Sequence, residues 1–298
     1  MINDKKVHIP VLEKEVLEYL DPKANENFID CTIDGGGHAV SILERNKPEG
    51  KVLGIEWDLE LYKNLIGLNL ERLILINESF VNLEKIVEKT ELKNISGILL
   101  DLGLSSWHLE KSGRGFSFQK DEQLIMRYDG KATELTAEKI LNQWPEKEIE
   151  KILLDYGEER FAKRITRKII EERELKLIKT TFQLVEIVKR ATPNWYHHRK
   201  INFATKTFQA LRIVVNDELD NLKKVLPQTL KVLKRGGRLA VISYHSLEDR
   251  IVKNFFKENM KNNLIKILTK KPIRPTKKEI INNPRSRSAG LRAMEKII

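Results

Sequence analysis

FIDCTIDGGGHAVSILERNKPEGKVLGIEWD, residues 28–58, reads as an apolar strand, a triple-glycine turn, a helix and a second strand that closes on Glu56. Strand, glycine turn and helix N-terminus together form a nucleotide-type cradle. Gly35, Gly36 and Gly37 let the backbone approach a ligand closely. Glu56 stands 20 positions beyond Gly36, where a carboxylate at a strand end can bind a ribose diol. A plain turn between strand and helix would not need that acidic strand end.

The spacing also bears on which ligand fits. Dinucleotide enzymes space their glycines G-x-G-x-x-G around a pyrophosphate, and that spacing is absent here. Asp30 instead closes the first strand, where a carboxylate can bind an amino group such as that of the methionine part of S-adenosylmethionine. A compact turn between Asp30 and Glu56 suits a nucleoside with an amino-acid tail better than NAD.

Working outward, five apolar runs alternate with helical patterns, at 27–32, 51–56, 72–77, 95–101 and 238–244. The alternation predicts an α/β fold with a doubly wound, mostly parallel sheet. Gly236 and Gly237 read as a helix C-terminal stop before the fifth strand. Runs at 264–271 and 291–297 are candidates for a closing antiparallel pair. More than a hundred residues separate the fourth and fifth strands, far more than one crossover needs. An inserted helical domain is expected at 133–200, leaving 1–132 and 201–298 as the cofactor-binding domain. Its helices are expected at 137–143, 146–155, 158–172 and 182–191, with Thr180 and Gln183 as a capping box. The stretch 105–131 has no clear period and reads as a functional loop over the site.

The 298 residues are 41% hydrophobic, enough for a full core, and the apolar runs are strand-sized. No charged-then-apolar export signal opens the chain, which predicts a cytoplasmic protein without a membrane anchor. A single cysteine, Cys31, excludes internal disulfides, and no metal site is expected. The adjacent His197 and His198 lack helical spacing and carboxylate neighbours, and read as a solvated or RNA-facing loop. The net charge is +11, and it is concentrated: 261–298 carries +9 and 160–212 carries +10 on an otherwise acidic body. Two basic segments point to a polyanion, with nucleic acid leading.

Ligands in doubly wound sheets sit beyond the carboxyl ends of the strands, so Asp30, Glu56, Asp101 and Tyr244 should converge. Asp101 is followed by Gly103, Ser105 and Ser106, and with Ser105 it is the candidate for orienting a substrate amine during methyl transfer. The bland alternative is a cap on the next turn. Methylation of a cytosine ring carbon needs a cysteine nucleophile on the substrate side, whereas Cys31 follows the first strand, so transfer to nitrogen or oxygen is favoured. His245, just past the fifth strand, either contacts a target nucleotide or starts the following helix.

These residues resemble a family, the bacterial small-subunit ribosomal RNA (cytosine-N4-)-methyltransferases. The likeness runs through HIPVLEKEVLEYL at 8–20, GGGH at 35–38, LLDLGLSS at 99–106, RGFSF at 114–118 and YGEERFAKRI at 156–165. It continues through TFQALRIVVNDEL at 207–219, GGRLAVISYHSLEDRIVK at 236–253 and NPRSRSAGLR at 283–292. The resemblance implies a class I methyltransferase (Rossmann-like) fold with an inserted helical domain. It implies S-adenosylmethionine as donor and a decoding-region cytidine of 16S rRNA, within the 30S particle, as substrate.

By position it implies Gly36, Gly37 and His38 as donor contacts, Glu56 at the ribose, Phe80 beside the adenine, and Asp101 and His108 near the reacting end. Arg114, Arg127, His245, Arg285 and Arg287 are the candidate RNA contacts. The chain departs from the family pattern in five places. Glu56 stands for aspartate, Trp107 for proline, His108 for glutamine, Ile125 for the aspartate before MR, and Asn202-Phe203 for His-Pro. An RNA-binding assembly factor that has lost turnover through such changes is the alternative, and a homodimer is compatible with the sequence.

Overall fold

The computed structural model describes residues 10–67, 69–130 and 134–298. The start of the 8–20 motif, the end of the expected loop at Lys131 and the expected insert boundary at Thr133 lie outside the described residues. Seven strands form one sheet: β1 (Asn27–Asp30), β2 (Val52–Glu56), β3 (Leu73–Asn77), β4 (Ile95–Asp101), β5 (Leu233–Ser243), β6 (Ile265–Ile267) and β7 (Gly290–Lys296). Their order is β3-β2-β1-β4-β5-β7-β6. The first five strands in that order pair in parallel, and β7 pairs antiparallel with both β5 and β6. The order reverses between β1 and β4, where doubly wound sheets hold their ligands.

The sequence explains why β2 and β4 lie inside. VLGIE and ISGILLD are buried at every residue, as continuous apolar runs must be when both sheet faces are covered. Alternate side chains enter two different cores. Ile29, Leu53, Ile98 and Leu100 pack on one face with Leu222 and Phe256. Phe28, Val52 and Leu99 pack on the other with Val16 and Ile42. Register then positions the strand ends: Asp30 pairs with Gly54 and Leu99, so Glu56 and Asp101 each extend two residues farther.

The chain divides into two compact units, residues 1–103 with 219–298 and residues 104–218. The second is wider than the 133–200 expected from sequence. Its core takes Phe116, Leu124 and Met126 from one side and Phe208, Leu211 and Val215 from the other, around the insert's helices. The non-periodic stretch after β4 is therefore packed structure: Leu124 N–H donates to Lys179 O, and Gln123 bridges Thr180. The helices Ala137–Gln143, Glu146–Asp155 and Thr181–Ala191 and the Thr180/Gln183 capping box match the expectation.

Two local expectations need correction. The helix expected from 158 begins at Ala162, because Glu158 takes a left-handed φ of 47° and Glu159 turns inward to accept from Phe161 N–H. Gly236 is not a helix stop. The helix Glu218–Val232 runs directly into β5, and Gly236, at φ 77°, lies in a bulge between the Leu233/Ile95 and Arg238/Gly97 pairs. No described helix is long and apolar enough to cross a membrane.

Candidate active site

The cradle begins where β1 ends. Cys31 N–H still bonds Leu99 O and Ile33 N–H bonds Ile55 O, so the chain follows both neighbouring strands before it turns. Asp34 and Gly36 then take left-handed φ values of 47° and 80°, and Gly36 caps the helix Gly37–Arg45. The glycine run is thus required by conformation at Gly36, whose φ a β-carbon would strain. Gly35 is exposed at the tip.

Besides Asp101, four carboxylates line this edge. Glu56 is held at both oxygens: Oε1 accepts from Asp58 N–H at 2.8 Å and Oε2 from Asp34 N–H at 3.1 Å. Burial, with like charge on Asp58 and Asp30, pushes Glu56 up to about 8 despite those two hydrogen bonds. Asp30, 1% exposed, accepts from Thr32 N–H at 3.1 Å and is pushed by burial up to about 6. Asp34 rises well above the usual carboxylate range through burial and the charges of Glu56, Asp101 and Asp30. Asp58, fully buried, caps the helix Leu59–Ile66 by accepting from Glu60 and Leu61 N–H. Burial, followed by Asp30's charge, pushes the Cys31 thiol up, consistent with a packed residue rather than a nucleophile.

Asp101 stands at the centre. Its N–H donates to Thr32 Oγ1 at 2.7 Å, its Oδ1 accepts from Tyr244 O–H at 2.8 Å, and its Oδ2 lies 3.6 Å from His38 Nε2. Burial and then the Asp101 charge raise Tyr244 well above its ordinary value, so it remains a donor. Burial lowers His38, but the carboxylates of Asp101 and Asp30 outweigh it and leave a net raised pKa. His38 Nδ1 is buried without a hydrogen-bond partner among the described residues.

Sequence reasoning named Asp30, the glycines, Glu56 and Asp101. It did not assign Asp34, Asp58 or Thr32 a part. Asp58 could have been found, since Asp before an apolar periodic run is an N-cap signal; the partnership of Thr32 with Asp101 has no local signature.

Other predicted residues are placed as follows. Phe80 opens a short 3-10 turn capped by Ser79 and packs half-buried against the core. His245 starts the helix Ser246–Lys261 in a reciprocal capping box with Glu248. In the second unit, Ser105 caps a short helix and its Oγ lies 2.8 Å from His108 Nδ1. Edges of Trp107, Phe116 and Tyr128 surround the His108 ring. Arg114 lies over Trp107 and donates to Tyr128 O. Arg127 is buried, bidentate on Asp129 and 2.8 Å from Glu134, so its charge is committed internally. Arg285 and Arg287 are exposed on a 3-10 turn.

The cradle fits a cationic nucleoside. S-adenosylmethionine carries a sulfonium and an ammonium, and either charge would relieve buried carboxylates held above their ordinary range. Sheet order, glycine turn and carboxylate-lined strand edge together define a class I methyltransferase. Residues 5–297 match the MraW methylase family, and the chain belongs to it, a family of S-adenosylmethionine-dependent enzymes. It is 47% identical to "Ribosomal RNA small subunit methyltransferase H" of Thermosipho melanesiensis, over 99% of both chains. The protein of the same name from Thermotoga neapolitana is 46% identical, over 97% of this chain and 95% of that one. That from Persephonella marina is 44% identical, over 97% and 99%.

Proposed function

We propose that the protein transfers a methyl group from S-adenosylmethionine to the exocyclic N4 of a cytidine in the decoding region of 16S rRNA, acting on the 30S particle. The observation that carries this reading is the Asp101 carboxylate, held at one oxygen by Tyr244 at the reversal point of the sheet, in a chain that belongs to a methylase family. The names of the similar proteins supply the small-subunit rRNA.

Asp30, Gly35, Gly36, Gly37, His38, Glu56 and Phe80 hold the donor, with Glu56 at the ribose and Phe80 beside the adenine. When bound, S-adenosylmethionine supplies an electrophilic methyl carbon. Asp101 accepts a hydrogen bond from the N4 amine and aims its nitrogen, and placement of this kind supplies much of the rate in group transfer. The target base leaves its stack to enter the pocket. Arg114, His245, Arg285 and Arg287 contact RNA.

Incubation with S-adenosylmethionine and small subunits from cells lacking the activity, followed by nucleoside mass spectrometry, tests the reading. N4-methylcytidine that disappears in Asp101→Ala is expected. A methyl group at another atom refutes the assignment of N4. Donor binding without any methylated nucleoside refutes turnover and leaves an RNA-binding assembly factor.

A further inference from the structure

The second unit carries an aromatic cluster that the reaction at Asp101 does not use. Phe161, Trp195 and Tyr196 meet edge to face, with ring centroids 5.0 to 6.0 Å apart. The cluster is built on a buried carboxylate. Glu159, fully buried, accepts from Tyr196 O–H at 2.8 Å and from Phe161 N–H at 2.9 Å, which holds the Tyr196 ring and the Phe161 backbone.

Above this base Trp195 is 53% exposed, although a tryptophan is among the most costly side chains to leave in water. Three exposed guanidinium groups lie over the rings of the cluster. Arg160 lies 5.2 Å from both the Phe161 and Trp195 rings, Arg164 lies 5.8 Å from Phe161, and Arg199 lies 5.3 Å from Tyr196. None of the three pairs with a carboxylate among the described residues. The three guanidinium groups are held over ring faces with their charge unneutralised.

We infer that this surface binds unpaired RNA: Trp195 stacks on an extruded or single-stranded base while Arg160 and Arg199 take the flanking phosphates. Charge decides between occupants. A protein partner buried on three uncompensated cations would need matching acids, whereas RNA brings a π-face for the tryptophan and a phosphate for each arginine. Preorganisation by Glu159 lowers the ordering cost of that interaction. The inference rests on the proposed RNA substrate and adds a recognition surface outside the carboxylate cradle.

The test is the affinity of the full-length protein for a short unstructured single-stranded RNA and for a duplex of the same sequence, at several salt concentrations. Trp195→Ala is expected to weaken single-strand binding by about 5- to 150-fold, the range one base–aromatic stack supplies. Trp195→Phe should restore most of it, and duplex affinity should change little. Arg160→Gln with Arg199→Gln should reduce the salt slope by roughly 0.7 for each phosphate that is no longer neutralised. S-adenosylmethionine affinity, measured on each variant, should stay at the wild-type value and so certifies the fold. Unchanged single-strand affinity in Trp195→Ala overturns the inference. So does loss of self-association in that variant with RNA binding intact, which would make the patch a protein interface. The readout is RNA affinity, so methylation at an atom other than N4 would refute the proposed reaction and leave this surface standing.

Discussion

Tyr244, one residue past β5, donates its hydroxyl to Asp101 Oδ1 at 2.8 Å across the sheet edge, 143 positions apart in the chain. This bond immobilises one oxygen of the carboxylate and leaves the other toward His38. Tyr244→Phe keeps the ring that packs beside Gly103 and removes only the donor. A hydrogen bond to a charged group contributes about 1.5–3 kcal/mol. Turnover should therefore fall by roughly 10- to 150-fold with donor affinity nearly unchanged, as single-turnover methylation and equilibrium titration would report. Near-normal turnover would remove Tyr244 from the positioning of Asp101.

The cradle should release protons when it fills. Glu56 ordinarily ionises near 4.5 and is pushed up to about 8 here, while Asp30 rises to about 6. Between those limits the folded chain holds protons that the unfolded chain has released, so stability of the free protein should fall as pH rises from about 4.5 to 8. A cationic donor favours the ionised carboxylates, so its binding should expel protons and tighten with rising pH in the same window. Calorimetry at neutral pH in buffers of different ionisation enthalpy measures this directly. Glu56→Gln should lower the number of protons released, and net proton uptake by the wild-type protein would contradict the account.

Asp58 ties the ribose-side carboxylate to a helix start. Its Oδ1 accepts from Glu60 and Leu61 N–H while its own N–H holds Glu56 Oε1. Asp58→Ala should cost about 0.5–2 kcal/mol in urea denaturation, the usual range for a lost N-cap. Asp58→Ser should recover much of that loss. Because the backbone donor survives, donor affinity should fall less than stability does.

Arg127 and Arg287 should behave oppositely although both were expected to touch RNA. Arg127 is buried between Asp129 and Glu134, whereas Arg287 is exposed. Arg127→Ala removes one partner of a buried ion pair and should destabilise the second unit by about 3–5 kcal/mol. Arg287→Ala should leave thermal stability unchanged and flatten the salt dependence of RNA binding by about 0.7 in slope. A stable Arg127→Ala protein with a reduced salt slope would reverse the assignment.

The strands, the glycine turn and the acidic strand ends were legible in sequence because they depend on short-range properties. Continuous apolar runs mark β2 and β4, and a glycine stands where Gly36 needs a positive φ. Helix starts carried by Thr180 with Gln183 were equally readable. Reading failed where a local signal had competing uses. Gly236 and Gly237 look like a helix stop but serve a β-bulge, and Glu158 looks helical but turns left-handed so that Glu159 can reach Tyr196. The non-periodic stretch after β4 looked like a loop because its buried residues, Phe116, Leu124 and Met126, follow no helix or strand period.

The linear sequence by itself determined the α/β class, the five parallel strands, the place of the cradle and, through its motifs, the family. Only the tertiary structure decided that Thr32 and Tyr244 hold Asp101, that Glu56 and Asp34 share one hydrogen bond, and that Arg127 is inward while Trp195 is outward. The reason is physical: strand propensity and turn conformation are set within a few residues. Which carboxylate meets which donor depends instead on strand register and on burial, and both arise only when segments far apart in the chain pack together.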